Sequence, residues 1–441
     1  MSELFKMLRC LVLFRFSSVG LTIAFVNLAA IAQNLPSALP TGGAVVAGSA
    51  SIAQSNSAMQ VNQSSRRAII NWSSYNVGKN ASVTYNQPDA QSSTLNRVTG
   101  SGASLIDGAV QANGQVVIVN PNGVAFGKGA EVNAAAIVAS TLDTNDKDFM
   151  EGKSRFSGES QASVVNHGKL KTNELNGYIA MLGQEVRNQG VILAQASQGN
   201  AVALAAGQSV TLNFQNNQLM SVKVDAASYR ALIENKRLVE APGGIIIIAA
   251  GSAANLMGSV VQNKGRISTA SMVRNGGSIE IVAGVVSNKG SINASSLAAN
   301  GNGGVINVQA QRVELANKSD IKADAAQSGN GGSITIHSTE STQIAGQLSA
   351  KGGVVSGDGG SIQTTSQGSV QIDAADLIAL SDEQMHMTYK ARMPDGSIIQ
   401  GRTDPQGLTT RLTSPHAGIV KVLLGDDDWA MHIDSDEPIG N

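Results

Sequence analysis

The residues able to carry chemistry are scattered. Asp320, Asp324, Asp373 and Asp376 are the carboxylates that a polysaccharide lyase or hydrolase would pair, beside a calcium ion or an Arg or Lys. They fall at predicted turns without a matching basic cluster, the pattern of solvated turn residues. The histidines, His167, His337, His386, His416 and His432, show no His-x-x-x-His spacing. Gly127-Lys128-Gly129 lacks the Gly-x-x-x-x-Gly-Lys-Ser/Thr order of a phosphate loop, and no Gly-x-Ser-x-Gly elbow stands out. Gly357-Asp358-Gly359-Gly360 lacks the Gly-Gly-x-Gly-x-Asp order of calcium-binding nonapeptides. Asp426-Asp427-Asp428 has oxygens for calcium but reads as a solvated acidic loop. The expectation is no catalytic residue, no metal ligand set and no cofactor.

One short motif has a defined geometry. Val116–Val119 is a run of four apolar β-branched residues, and it enters Asn120-Pro121-Asn122-Gly123. Proline suits the second position of a tight turn, and Asn and Gly suit the next two. The Asn120 side-chain oxygen is placed to cap that turn. On chemistry alone this is a corner between two strands.

The element around that corner is set by repeats. Asn275-Gly276-Gly277-Ser278-Ile279, Asn302-Gly303-Gly304-Val305-Ile306, Asn330-Gly331-Gly332-Ser333-Ile334 and Asp358-Gly359-Gly360-Ser361-Ile362 start 27, 28 and 28 residues apart. Each opens an alternating strand: Ile279/Ile281, Ile306/Val308, Ile334/Ile336 and Ile362/Thr364. A second motif, Asn-x-Gly-x-Leu/Ile, recurs at Asn166, Asn188, Asn263 and Asn288, with a degenerate copy from Asn317 to Ile321 in which Ser319 takes the glycine place. Periods of this length mean a solenoid or a propeller, and a propeller blade needs ~40–45 residues. Coils of three short strands with Gly and Asn at the corners fit better. The fold class read here is all-β, a right-handed parallel β-helix (solenoid) with a small C-terminal antiparallel β-module. From Val45 to Asp376, roughly thirteen coils would make a rod on the order of 60 Å long, shortened by insertions.

Composition agrees. Glycine is abundant (48 of 441 residues), and the charge is balanced at 31 basic against 32 acidic residues. Aromatics make up only 3% of the chain. That leaves neither a basic footprint nor a stacking platform for nucleic acid. Lys6, Arg9 and Arg15 precede the apolar run Val19–Ala32, which ends Ala30-Ile31-Ala32. This is the pattern of a secretory signal cleaved between Ala32 and Gln33. The run is shorter than the about 20 residues of a membrane span. The single cysteine, Cys10, would leave with the signal, so packing and backbone ladders must supply the stability.

Two stretches break the rhythm. Asp143–Gly158 is charged and reads as a loop or excursion. Asp225–Asn235 reads as a short helix packed on the side of the coils, with Asp225 as N-cap and Ala226, Tyr229, Leu232 and Ile233 at helical spacing. After Asp376 glycine and asparagine thin out. Strand-like segments 386–392, 397–402, 407–412 and 418–424 alternate with the turns at Pro394-Asp395-Gly396, Asp404-Pro405-Gln406-Gly407 and Ser414-Pro415, a small antiparallel module.

Between Ala44 and Leu212 the chain resembles the filamentous haemagglutinin-type secretion domain of two-partner secretion exoproteins, and within them the high-molecular-weight adhesin branch. The likeness is carried in order by Met59-Gln60-Val61, Ala68-Ile69-Ile70-Asn71-Trp72, Tyr75-Asn76-Val77-Gly78, Asn96-Arg97-Val98-Thr99, Asn113–Val124 and Ala139-Ser140-Thr141-Leu142-Asp143. Gly177–Gly183 and Leu204-Ala205-Ala206-Gly207 also fit. Where the family often carries a second Asn-rich motif, this chain has Asn133-Ala134-Ala135-Ala136. The tail more weakly resembles transthyretin-like surface modules.

The resemblance implies a right-handed parallel β-helix and assigns Asn120, Pro121, Asn122 and Gly123 to recognition by a partner outer-membrane β-barrel transporter. The expected domains are a signal peptide (1–32), a secretion domain (33–214), continuing β-helix repeats (215–376) and a small β-module (377–441). The expected product is a monomeric adhesin-like exoprotein of a Gram-negative bacterium, secreted or held at the cell outer membrane surface. Its further expected partners are host-cell or bacterial surface glycans or proteins, with no nucleic acid. The alternative is an exported effector or a carbohydrate-acting β-helix enzyme.

Overall fold

Alternating Ile and Val put branched side chains on one face of a strand, and parallel pairing stacks each on its counterpart in the next coil. Ile279 lies opposite Ile306, Ile306 opposite Ile334, and Ile334 opposite Ile362. The computed structural model describes residues 35–196, 198–226, 231–251, 259–372, 377–378, 388–393, 396–402 and 418–425. Within them the chain winds as a parallel β-helix, with one helix of five residues, Asp146–Met150.

One coil shows the plan. Gln115–Val119 ends at the Asn120–Gly123 corner, Val124–Phe126 follows, and Glu131–Asn133 leads to Ala136–Ser140 of the next coil. The first two strands join a 23-stranded sheet and the third joins a 13-stranded sheet. In register, first strands begin at Arg67, Ser93, Gln115, Ala136, Tyr178, Ala201, Ile245, Ser278, Val305, Ser333 and Ser361, eleven coils among the described residues. This is fewer than the sequence arithmetic, because two coils carry excursions.

Inside the coils lies one continuous apolar column. Val116, Ile137, Ile179, Val202, Ile246, Ile279, Ile306 and Ile334 stack on the large sheet, facing Val132, Leu170, Ile192, Val239, Ile267, Ile292 and Ile321 on the smaller one. All are buried, and each contributes about 1.5–3 kcal/mol relative to exposure. Ahead of the first full coil, Ala44–Ala47 pairs antiparallel with Arg67–Trp72. Ala50–Ser55 and Ala58–Gln63 form a hairpin that starts the smaller sheet.

A second core lies on the outside of the large sheet. Ile69, Leu95, Val117, Val138, Ala180 and Ala203 face outward yet are buried. Their cover is the Asp146–Met150 helix and a three-stranded antiparallel sheet of Arg155–Ser157, Ser209–Gln215 and Gln218–Asp225, which brings Phe149, Phe156, Val210, Leu212 and Leu219. The charged stretch Asp143–Gly158 is therefore an excursion with an apolar underside. The hairpin tip Asn216-Asn217 takes φ of 50° and 63°, the left-handed pair of a tight two-residue turn.

The short helix expected over Asp225–Asn235 is contradicted by strand at both of its ends. Asp225 ends the hairpin strand Gln218–Asp225, and Ala231–Asn235 is a strand whose Leu232 and Ile233 pair in parallel with Glu185 and Val186. Apolar residues at 226, 232 and 233 satisfy helical spacing, but a vacant edge of the ladder offers more hydrogen bonds than an isolated short helix. Tyr229 lies outside the described residues.

In the tail, Thr388–Arg392 pairs antiparallel with both Ile398–Arg402 and Gly418–Gly425. Gly418–Gly425 also pairs antiparallel with Ser361–Ser366 of the eleventh coil. Segment 407–412 lies outside the described residues, as do Ala32, Gln33, Asp426, Asp427 and Asp428.

Candidate functional site

The Asn120–Gly123 corner is held by its own side chains. The Asn120 N–H donates to Ser140 of the next coil (2.9 Å), and the Gly123 N–H closes the turn onto the Asn120 carbonyl (3.0 Å). Gly123 sits at φ 115°, a conformation that penalises any Cβ. The fully buried Asn120 side chain reaches the other way: Nδ2 donates to the Gly102 carbonyl (2.9 Å) and to Ser104 Oγ (3.0 Å). Its Oδ1 accepts from the Asn122 N–H (2.9 Å). Asn122 Nδ2 donates to the Gly100 carbonyl (2.9 Å), and Ser160 Oγ donates to the Pro121 carbonyl. One asparagine thus staples its own coil to the preceding and following ones. Losing that amide removes a partner of the buried Ser104 hydroxyl, at about 1–3 kcal/mol. Pro121 and the outer side of Asn122 remain exposed.

Two neighbouring clusters hold this region. Inside the first coils, Trp72 Nε1 (3.1 Å) and Tyr85 Oη (2.8 Å) both donate to Asn96 Oδ1, and Tyr75 and Tyr85 share a hydroxyl bond of 2.8 Å. Asn96 Nδ2 donates to the carbonyl of Val117, in the strand that enters the corner (3.2 Å). Burial raises the phenols of Tyr75 and Tyr85 above their ordinary range. Outside, Arg97 binds Asp143 Oδ1 (2.9 Å), Asp146 Oδ1 (2.6 Å) and the Thr144 carbonyl (2.6 Å). Arg97 and Asp143 come from two of the separate runs that carry the family likeness, and here they are one contact.

The second repeated motif is a buried amide ladder. Asn166 Nδ2 donates to Asn188 (2.9 Å), Asn188 to Asn235 (2.9 Å), Asn235 to Asn263 (2.8 Å) and Asn263 to Asn288 (2.7 Å), each to Oδ1. Asn235 was missed because Arg237 takes the place of the glycine. The signal was its spacing, four residues before the inward-facing Val239. Asn317 is not a rung: Leu315 pairs opposite Asn288, and Ser319 Oγ accepts the last amide (2.7 Å).

Asn133-Ala134-Ala135-Ala136 forms a packed corner whose three alanines are buried, with Asn133 exposed. The carboxylates do not converge. Asp320 pairs with Lys322 (3.1 Å), and Asp324 accepts from Ser349 Oγ (2.6 Å) and the Lys351 N–H (2.8 Å). His337 Nδ1 meets Thr365 Oγ1 at 2.7 Å. Asp373, Asp376, His386, His416 and His432 lie outside the described residues. Among the described residues no group of His, Cys, Asp or Glu has metal-binding geometry.

A β-helix with an antiparallel N-terminal cap, an outer three-stranded cover and an asparagine-stapled corner places the chain in the class of capped β-solenoid domains. The chain belongs to the TPS secretion domain family, whose model matches residues 37–294. It is similar to the HMW1 secretion domain from Haemophilus influenzae, at 25% identity and a TM-score of 0.62 over 78% of this chain and 100% of that one. Two curated relatives are heme/hemopexin-binding proteins of Haemophilus influenzae. One is 32% identical over 222 residues, which is 48% of this chain and 24% of the relative. The other is 42% identical over 85 residues, 19% of this chain and 9% of the relative. The chain thus matches about a quarter of the longer alignment's partner or less.

Proposed function

We propose that this protein is the exported member of a two-partner secretion pair, recognised through its first coils by an outer-membrane β-barrel transporter. The observation that carries this is the family match over residues 37–294. The stapled corner at Asn120–Gly123 supports it and offers Pro121 and Asn122 as the exposed recognition edge.

Export supplies its own bias. The chain crosses unfolded, and once the antiparallel cap and first coils have closed outside, each further coil buries its Ile and Val pair on the last one. Nearest-neighbour gains of this kind propagate along a solenoid. They oppose back-sliding without a nucleotide. The product acts outside a Gram-negative cell, released or held at its outer surface, as an adhesin-like binder of surface glycans or proteins. The names of the two curated relatives favour a second reading of the cargo role, capture of haem or of hemopexin.

The test is export with the transporter co-produced. Pro121→Ala/Asn122→Ala alters the exposed edge, and Asn120→Ala breaks the staple. The expected result is a loss of extracellular protein with both variants, and a clearly larger loss of stability with Asn120→Ala, whose side chain is buried. Unchanged export of both variants removes the role assigned to the corner.

A further inference from the structure

The cover on the outer sheet does not close completely. Near Arg67 it leaves a cavity of about 130 Å³ between the large sheet, the stretch after the Asp146–Met150 helix and the tip of the Ser209–Asp225 hairpin. Phe149, Phe156, Tyr178 and Phe214 line one part of it, with the Tyr178 and Phe214 centroids 5.0 Å apart, and Arg66, Arg67, Gln91, Gln115 and Lys153 line another. In volume alone it is close to the ~150 Å³ that holds one benzene ring, but it is open to solvent and lined by polar as well as aromatic side chains.

One end of the chamber is cationic. Arg67 is half buried there, and no carboxylate or carbonyl among the described residues accepts from its guanidinium. Arg97, on the next strand, has three such partners. Arg66 stands beside it with Nη2 on Gln91 Oε1 (2.8 Å). Lys153 at the rim is already neutralised by Asp148 (3.1 Å) and Glu151 (2.8 Å). The chain is fitted around Arg67: Gly152, at φ 85°, passes so close that a Cβ there would lie 2.5 Å from Arg67 Nη2. Burial, then the neighbouring Arg66 charge, pull the Arg67 guanidinium below its ordinary value, and Tyr178 opposes them.

We propose that this chamber binds a small aromatic carboxylate, with its ring among Tyr178, Phe149 and Phe214 and its carboxylate on the Arg67 fork. The planar guanidinium matches a carboxylate in two parallel bonds, and ring-on-ring contact favours an aromatic body over an aliphatic one. The β-helix does not need this space for its own stacking, so the site is separate from the Asn120 corner and from the export reading.

The probes are benzoate, benzyl alcohol (the same ring without charge) and acetate (the charge without the ring), titrated calorimetrically into the full purified chain. Benzoate should bind roughly tenfold or more tightly than either of the others. Arg67→Gln should weaken benzoate by roughly tenfold while leaving benzyl alcohol unchanged. Phe214→Ala, at the exposed hairpin tip, should weaken both ring compounds. Thermal melts of each variant separate lost binding from lost folding, and Arg67→Lys, which keeps the charge without the fork, serves if Arg67→Gln fails to fold. Equal affinity for benzoate and benzyl alcohol overturns the proposal. So does unchanged benzoate binding in a folded Arg67 variant, or the absence of binding by any probe.

Discussion

The coils from Arg67 to Ala250 and those from Ser278 to Ile372 share one winding but not one set of faces. In the first group the first strand of several coils is buried on both sides: Ala136–Ser140, Tyr178–Gly183 and Ala201–Ala206 are buried at every residue. In the second group Ser278–Val282 and Ser333–Ile344 bury alternate residues over most of their length. The outward column shows the change in chemistry, from Val138, Ala180, Ala203 and Ile247 to Glu280, Asn307 and Thr335. The first group is tied together by a cover drawn from distant parts of the chain, and the second is held by neighbour on neighbour. The first group therefore has a second core in addition to the apolar column that both groups share.

The sharpest way to break this contrast is a charge on the outer face. Ala203→Glu buries an unpaired carboxylate and should cost several kcal/mol, about 3–5, enough to prevent folding of the first coils in a denaturant titration. Phe156→Ala empties part of the second core and should cost about 3–5 kcal/mol, with amide exchange rising in the first group only. Asn263→Ala leaves Asn235 without its acceptor and should cost about 1–3 kcal/mol, felt at the junction of the two groups.

Alkaline melting adds a distinction by pH. Tyr75, Tyr85 and Tyr178 all belong to the first group, and burial raises each phenol above its ordinary value of 10.0. A raised folded pKa gives stability that is complete below the unfolded value and is lost as pH climbs past it towards the folded value. The first group should therefore lose stability above about pH 10, with Tyr178→Phe removing part of the effect. The smallest effect sharpens the contrast from the other side: Glu280→Ala, the register partner of Ile247, should change stability by no more than about 0.5 kcal/mol. A large loss there would mean that the second group also has a buried outer face.

The second group was the more legible in sequence, for a physical reason. A strand buried on one face must alternate, and Ile279/Ile281 and Ile334/Ile336 declare both strand and inward face. A strand buried on both faces is a plain apolar run, such as Ala201–Ala206, and its cover comes from Phe149, Phe156 and Leu212, remote in the chain. The same ambiguity produced the helix reading at Asp225–Asn235, where a short apolar run fits either period. At the corner, the turn and the Asn120 cap follow from local residue types. The grip of Asn120 on Gly102 and Ser104 depends on which earlier loop the winding brings alongside, and no local pattern states that.

The central claim is that this chain leaves the cell through a dedicated partner and folds outside it. The direct measurement is the amount of folded, protease-resistant chain in the medium and on the cell surface, with and without a co-produced two-partner transporter. The account predicts external protein only when the transporter is present. Equal external amounts in both strains, or none in either, would contradict it.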